Sequence, residues 1–275
     1  MPPSQAPMMA LPMPGKAVRG VMLAVFAVWL SFAIGLNWGS VPGTLFVLLA
    51  GSTERILHGE VWRLFTAPLL HDAEGAAGVS HIITTLLGLF FFAPRLEELW
   101  GPKRMLRFIA LSAIIAYAVQ MLVDLLLPAA LSERLVGQYW FGLTPALGAI
   151  AIAWALTFKN QVVQLFFVIP VSSRMLIVWV VGLGLLYLVA GARPHEGLIA
   201  PFGGMLCGWL LGGGSPSPLR KAWLRLRLAQ LDSEARRAGQ KRKARPNPGG
   251  LRVIPGGRSE DDGDKRKGPD GRWLN

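Results

Sequence analysis

The sequence is poor in the residues from which many sites of soluble proteins are built. It contains one cysteine, Cys207, so no disulfide can form within the chain. Only 16% of its residues are charged, whereas soluble domains carry about 25%. It has no Cys/His spacing typical of zinc, no Walker loop and no GxGxxG motif after a strand. These absences predict a chain that holds neither a metal nor a cofactor.

Hydrophobic residues dominate instead, at 52% of the chain with a mean hydropathy of +0.44. Crossing the ~30 Å hydrocarbon core of a bilayer takes about 20 apolar residues in a helix. Apolar runs of roughly this kind lie at 21–38, 81–92, 108–127, 140–158, 175–190 and 197–211. We therefore predict an all-α polytopic membrane protein with six transmembrane helices. The membrane domain occupies residues 18–212, after a disordered segment at 1–17.

Residues 39–80, between the first two runs, are too mixed in character to cross a membrane. Glu54, Arg55 and Arg63 are too polar for lipid. Trp62 and Phe65 suit the membrane–water interface, where amphipathic rings settle. The pattern predicts a structured first loop that lies partly in the membrane surface, with Trp62 as an anchor and Arg63 solvated or paired with lipid phosphate.

Lys and Arg are concentrated in alternate loops, which predicts the orientation of the chain. The basic side holds Lys16 and Arg19, the cluster at 95–107, Lys159 and Arg174, and the C-terminal tail. The other side holds only Arg55, Arg63, Arg134 and Arg193. We predict an integral protein of a bacterial inner membrane with both termini in the cytoplasm.

The net charge of +12 is mainly a property of the tail, residues 213–275. From 215 onward there are 16 Lys and Arg against 7 Asp and Glu, a surplus of nine charges out of the twelve. Because the rest of the chain is nearly neutral, we predict no nucleic-acid partner. Leu, Trp and Arg recur at helical spacing over 219–238, which is typical of a basic amphipathic helix on anionic lipid head groups. A solvated basic linker explains the same pattern.

The stretch WFGLTPALGAI, residues 140–150, places one hydroxyl, that of Thr144, in a glycine-rich apolar run. A lone polar group in lipid is costly unless something pairs with it. Gly142 and Thr144 could serve only close helix packing, with the hydroxyl bonded to its own helix carbonyls. The alternative is chemistry at Thr144, and the rest of the chain must decide between the two.

Four stretches in order resemble the rhomboid family of intramembrane serine proteases, over about residues 60–212. GEVWRLFTAPLLH at 59–71 resembles its first loop, with Trp62 and Arg63 as the Trp-Arg pair. HIITTLLGLFFFAPRLEELWG at 81–101 resembles its second helix, and WFGLTPALGAI its Gly-x-Ser-Gly helix start, beginning at Gly142. APFGGMLCG at 200–208 resembles its sixth helix, where Gly204 and Gly208 match glycines that allow close packing. The resemblance implies a six-helix rhomboid fold, in which these residues have structural or client-binding roles.

Carried over by position, the resemblance implies that the catalytic groups have been replaced. The nucleophilic serine falls on Thr144 and the glycine after it on Pro145, while the general-base histidine falls on Pro201. The second-helix histidine is kept as His81, but the asparagine four residues later falls on Thr85. A hydroxyl is a weak nucleophile without an adjacent base, and proline supplies none. Pro145 also lacks the backbone N–H that could help to bind an oxyanion.

The resemblance therefore implies a rhomboid-like pseudoprotease that binds transmembrane segments of client membrane proteins without cutting them. One alternative is an active intramembrane serine-type endopeptidase in which Thr144 works with His81 or with His71 of the first loop. His195 is expected in an outer loop, away from the site, and Asp124 is expected to reach the membrane boundary. Another alternative is a membrane-anchored platform that acts through its basic tail.

Overall fold

The computed structural model describes residues 13–159, 161–165, 169–191, 195–212 and 218–244. Most of the predicted segment 1–17 and the end of the tail, 245–275, lie outside the described residues. The described chain is almost entirely helical. Its main helices are α1 (Lys16–Asn37), α5 (Gly75–Trp100), α6 (Pro102–Leu126), α8 (Thr144–Thr157), α9 (Ser173–Ala190), α10 (Ala200–Cys207, continued by a π turn at Gly208–Gly212) and α11 (Pro218–Ala244). Short helices α2 (Gly43–Leu49), α3 (Thr53–Leu57), α4 (Arg63–Thr66) and α7 (Ala129–Leu135) lie in the loops, with a 3-10 turn at Ala67–Leu69.

Four helices among the described residues, α1, α5, α6 and α9, are long and apolar enough to cross a membrane. The other two apolar runs form the shorter helices α8 and α10. At 1.5 Å per residue, the 14 residues of α8 extend only about 21 Å, which is less than the ~30 Å hydrocarbon core. The chain is an integral membrane protein, while the sixfold count of full spans stays a prediction.

Helix α5 is longer at both ends than the sequence pattern predicted. It begins at Gly75 rather than His81, and it continues through Arg95 to Trp100, where a loop had been expected. The prediction was wrong because it treated the charged residues as solvated. The Glu97 side chain points inward, is 5% exposed, and accepts hydrogen bonds from the backbone N–H groups of Ala17 (2.8 Å) and Val18 (2.9 Å).

The same contact explains why α1 begins at Lys16 rather than Val21. The first N–H groups of a helix have no partner within the helix, and a carboxylate at that end also interacts favourably with the helix dipole. Glu97 supplies this cap from another helix, so the start of α1 and the end of α5 lie together. Gly101, at φ +79°, then turns the chain into α6.

A small antiparallel hairpin replaces the predicted loop between α8 and α9. Strands β1 (Val162–Leu165) and β2 (Ile169–Ser172) pair in the register Val162↔Ser172. Helix α9 follows directly at Ser173, two residues earlier than predicted, and the hydroxyl of Ser172 accepts a hydrogen bond from the backbone N–H of Met175. This cap fixes the helix start where the apolar run alone could not.

Helix α8 lies at the centre of the helix packing, between α5, α6, α9 and α10. Its residues from Ala149 to Ala155 are all buried, and four of these seven are alanine. Small side chains let helix backbones approach closely in membranes. The central position of α8 fixes where its first residue, Thr144, can point.

Helix α11 runs from Pro218 to Ala244, beyond the predicted 219–238. From Leu219 to Arg237 its side chains are exposed. Its leucines do not form one apolar face, as had been expected, but lie on two sides of the helix. The reason is visible in the spacing: Leu224, Leu228 and Leu231 are offset by five residues from Leu219, Trp223 and Leu226.

Candidate functional site

The residues before α8 are held in place by backbone contacts from three parts of the chain. The N–H of Gly142 donates to the carbonyl of Ala67 at 3.0 Å, and the N–H of Phe141 donates to the carbonyl of His195 at 3.1 Å. The buried Tyr117 hydroxyl on α6 donates to the carbonyl of Gly142 at 2.7 Å. The first loop, α6 and the segment before α10 therefore all meet at the start of α8.

Gly142 is a position where a side chain could not fit. Its φ of +123° lies in the region that L residues rarely adopt. An added Cβ would also lie 2.7 Å from Oε1 of Glu196. The Glu196 carboxylate thus sits directly against the turn that leads into Thr144.

A hydroxyl, a carboxylate and an imidazole form one hydrogen-bonded network here. Nε2 of His81 lies 2.9 Å from Oε1 of Glu196, and the half-buried Thr144 hydroxyl bonds to the same carboxylate. The backbone N–H of Asp72 points at Nδ1 of His81 from 3.4 Å, which assigns the Nε2 hydrogen to Glu196. The network joins α8, α5 and the segment before α10.

The Glu196 carboxyl group is ionised in this setting. Burial would raise its pKa, but the hydrogen bonds from His81 and Thr144 outweigh burial and lower it. A carboxylate with a lowered pKa is a weak base. It can accept the Thr144 hydrogen bond, but it has little tendency to remove that proton.

Two further histidines surround His81. The rings of His71 and His81 lie 4.7 Å apart, and His195 stacks on His81 at 5.5 Å and on Phe141 at 5.1 Å. Nε2 of His195 is 3.3 Å from Oδ2 of Asp72. Three of the four histidines in the chain therefore meet at the start of α8, and the expectation that His195 lies away from the site was wrong.

His71 is the most buried of these rings, at 1% exposure, and its Nε2 lies 3.2 Å from the Thr85 hydroxyl. Burial, which disfavours the charged ring, is the main cause that lowers the pKa of His71 to about 4. His71 is thus neutral near pH 7. Thr85 bonds to His71 and is not among the groups that bond to Glu196.

The two prolines lie on helices that pack closely together. An added Cβ on Gly204 would overlap the carbonyl of Pro145, and one on Gly208 would overlap the carbonyl of Ala149. The carbonyl of Pro201 lies near Gly148, one turn beyond Thr144. The predicted close packing of the sixth apolar helix against the fourth is present. At position 201, however, this contact contains no side-chain proton acceptor.

Arg63 is buried at 2% exposure, so the prediction of a solvated or lipid-paired arginine was wrong. Its Nη1 donates to the carbonyls of Val47 and Ala50 at 2.5 Å, and its Nε donates to Glu60 at 2.7 Å. These carbonyls end α2 and have no partner within that helix. Trp62 is 43% exposed, and its ring N–H lies 3.4 Å from the carbonyl of Leu48, at the same helix end.

Asp124 does not snorkel freely at the membrane boundary. It accepts a hydrogen bond from the Ser132 hydroxyl and so ties α6 to α7. Across the described residues, no three His, Cys, Asp or Glu side chains are arranged to hold a metal ion. The network at Thr144 is therefore a hydrogen-bonded site built from a hydroxyl, a carboxylate and imidazoles.

Sequence reasoning placed Thr144, His81 and Gly142 at one site, and the structure brings these three together. It missed Glu196 and the approach of His195. Glu196 lies 115 positions from His81 along the chain, and no local pattern links the two. The only signal was the presence of His195 and Glu196 side by side, just ahead of an apolar helix.

Known proteins share sequence with the stretch that builds this site. Residues 58–214, more than half of the chain, match the family model described as the rhomboid domain. The chain is 30% identical over 156 residues to RHOMBOID-like protein 1 of Arabidopsis thaliana. This alignment covers 56% of this chain and 34% of that protein. It is 37% identical over 99 residues to the putative rhomboid protease YdcA of Bacillus subtilis. This second alignment covers 34% of this chain and 44% of that protein. The chain thus spans less than half the length of either relative.

Proposed function

This chain is a member of the rhomboid family, and we propose that it is a non-catalytic member that binds transmembrane segments of other membrane proteins. The observation that carries the proposal is the hydrogen bond between Thr144 and the ionised Glu196. It leaves the hydroxyl paired with a weak base, at the position where the family's nucleophile is expected.

Charge at the site supports the same proposal. Acyl transfer requires donors that stabilise a developing oxyanion. Here the donors of His81 and Thr144 already face the carboxylate of Glu196. A second negative charge next to that carboxylate would be repelled, and Pro145 offers no backbone N–H to offset the repulsion. The network therefore opposes the chemistry that a serine protease performs.

Apolar surface available to a client helix is present on α9 and at Phe141 and Phe202. Phe141 and Phe202 are half-buried, and the ring of Phe202 lies against Gly184 of α9. Helix α9 buries only Ser173 and Leu176. Its exposed apolar side chains include Val178, Trp179, Leu183, Leu186 and Val189. Van der Waals contact with small and apolar residues is the usual basis of helix association in membranes.

The orientation belongs to the same proposal: both termini lie in the cytoplasm and the Thr144 network lies toward the outer face of a bacterial inner membrane. The start of α1 meets the end of α5 at Glu97, and Arg95 bonds to Gln161 near the hairpin. This end of the domain also carries Lys16, Arg19, Lys103 and Arg104, in accord with the preference of basic residues for the cytoplasm.

Labelling with a fluorophosphonate in detergent tests whether the site is catalytic. We expect no labelling of the wild type or of Thr144→Ala. The double variant Thr144→Ser, Pro201→His should label, and it should label faster when Glu196→Gln removes the competing carboxylate. Labelling of the wild type that disappears in Thr144→Ala would instead establish an active protease that uses Thr144, and the non-catalytic proposal would fall.

Photocrosslinking tests client binding. Benzoylphenylalanine is placed at Phe202 and at Phe141, with Leu122 on the outer side of α6 as the control, because it is 55% exposed. The two site positions should give adducts with membrane proteins of full, uncut length, and position 122 should not. Equal adducts at all three positions, or adducts at none, would contradict binding at this site. Deleting 215–275 should leave the adducts unchanged, whereas a platform acting through its tail would lose its function.

A further inference from the structure

Helix α11 carries the largest concentration of positive charge among the described residues. Its 27 residues include nine Lys and Arg against Asp232 and Glu234. Such a helix would not be covered by apolar protein surface, because each buried charge would need a partner. An anionic surface is the complement that its charge requires.

The helix also exposes large apolar side chains, and a purely solvated basic linker does not explain their presence. Leu219, Trp223 and Leu226 recur at i, i+4 and i+7, so they form a stripe on one side. We call these three residues the Trp223 stripe. They are 48%, 61% and 68% exposed. Apolar residues flanked by Lys and Arg, with tryptophan at the boundary, are typical of helices at a lipid interface.

Position in the chain narrows the choice between a lipid surface and another polyanion. The π turn that ends the last apolar helix finishes at Gly212, and α11 begins at Pro218. Six Cα–Cα steps reach at most about 22 Å. The first turns of α11 therefore cannot leave the vicinity of the bilayer. A bilayer also accommodates both the cations and the Trp223 stripe, whereas a nucleic acid backbone offers nothing to the leucines.

We propose that α11 lies on the anionic surface of the bilayer with the Trp223 stripe in the head-group region. The second row of leucines, Leu224, Leu228 and Leu231, then faces away from the lipid. The interaction is driven by both charge and apolar burial, so it requires anionic lipid and weakens with salt. It does not depend on whether Thr144 is catalytic.

Spin labels on the two sides of α11 test this in the full-length protein. Cys207→Ser removes the only cysteine, and labels are then attached through Ser233→Cys or Ala235→Cys. Ser233 continues the Trp223 stripe, and Ala235 continues the opposite row. The protein is placed in nanodiscs of phosphatidylcholine alone or with about one third phosphatidylglycerol, and label accessibility to O₂ and to an aqueous nickel chelate is measured.

In anionic discs the label at 233 should become severalfold less accessible to the nickel chelate than the label at 235. Raising the salt to half molar, or changing Arg225→Gln with Arg227→Gln, should remove the difference. Equal accessibility of both labels in both lipids would show a solvated helix and overturn the proposal. Protection of the label at 233 that persists in neutral discs and at high salt would also overturn the proposal, because apolar protein and not anionic lipid would then shield the label.

Discussion

Arg63→Ala should destabilise the protein far more than Arg55→Ala, although both arginines reach the same carboxylate. Arg63 is 2% exposed, contacts Glu60 at 2.7 Å and donates to the carbonyls of Val47 and Ala50. The Arg55 side chain is 55% exposed and lies 3.6 Å from Glu60. The pair therefore forms a matched comparison of a buried and an exposed arginine.

The magnitude follows from what each change leaves behind. Removing Arg63 leaves Glu60 and two helix-terminal carbonyls without their main donor, and breaking a buried charged pair costs about 3–5 kcal/mol. An exposed pair such as that of Arg55 contributes at most about 1 kcal/mol. At roughly 2–4 °C per kcal/mol for a chain of this size, Arg63→Ala should lower Tm by about 6–20 °C. Arg55→Ala should lower it by no more than about 4 °C.

Cys207 provides the assay. It is the only cysteine and is 3% exposed in α10, so a maleimide dye that fluoresces on reaction reports unfolding of the helix packing. The dye is added to each variant in detergent, and the midpoint of its reaction is followed with temperature. Similar midpoints for Arg63→Ala and Arg55→Ala would refute the reasoning, because burial of the guanidinium would then contribute nothing.

Three further outcomes are expected, the first two in the same assay and the third by thermal unfolding followed through tryptophan fluorescence, because a maleimide reacts too slowly with a thiol at pH 4. Gly204→Ala should lower Tm strongly, because its Cβ would overlap the carbonyl of Pro145, whereas Gly148→Ala meets nothing closer than 3.5 Å and should be tolerated. Equal effects would contradict the packing. Glu97→Gln should cost about 1–3 kcal/mol, because it removes the charge and leaves one acceptor oxygen for two N–H groups, while exposed Glu98→Gln should change little. Because the pKa of His71 is about 4 when folded and 6.5 otherwise, the unfolded chain binds the extra proton. Stability should therefore fall by about 3 kcal/mol as pH drops from 6.5 to 4. In His71→Gln the curve should be flatter by that amount, and an unchanged curve would exclude His71 as the cause.

Features that depend on local pattern could be predicted from the sequence. Apolar runs indicated the helices, since hydrocarbon tolerates little else. Spacing of Gly204 and Gly208 indicated close packing, because a helix repeats its face about every four residues. The family resemblance placed Thr144 and His81 together, and the structure agrees. Each of these features depends either on residues close together in the sequence or on a motif of the family.

Features that depend on which partner a charge finds could not be predicted. The sequence predicts that Arg63 and Glu97 lie at the surface, because an isolated charged side chain is usually solvated. In the folded chain both point inward and cap the ends of other helices. Glu196 was missed for the same reason: its partners, His81 and Thr144, are 115 and 52 positions away. Composition and periodicity contain no information about pairs so distant.

The Thr144 network also explains how a carboxylate can remain buried at this site. Glu196 is 3% exposed, and an ionised carboxylate at that depth is costly unless it is paired and hydrogen-bonded. His81 and Thr144 supply those bonds from two different helices. Any change that removes one donor leaves the charge less well satisfied, so the network ties α5, α8 and the segment before α10 together. Under the proposed function, a client helix binds without breaking these hydrogen bonds, and we propose that the half-buried Phe141 and Phe202 decide which clients are selected.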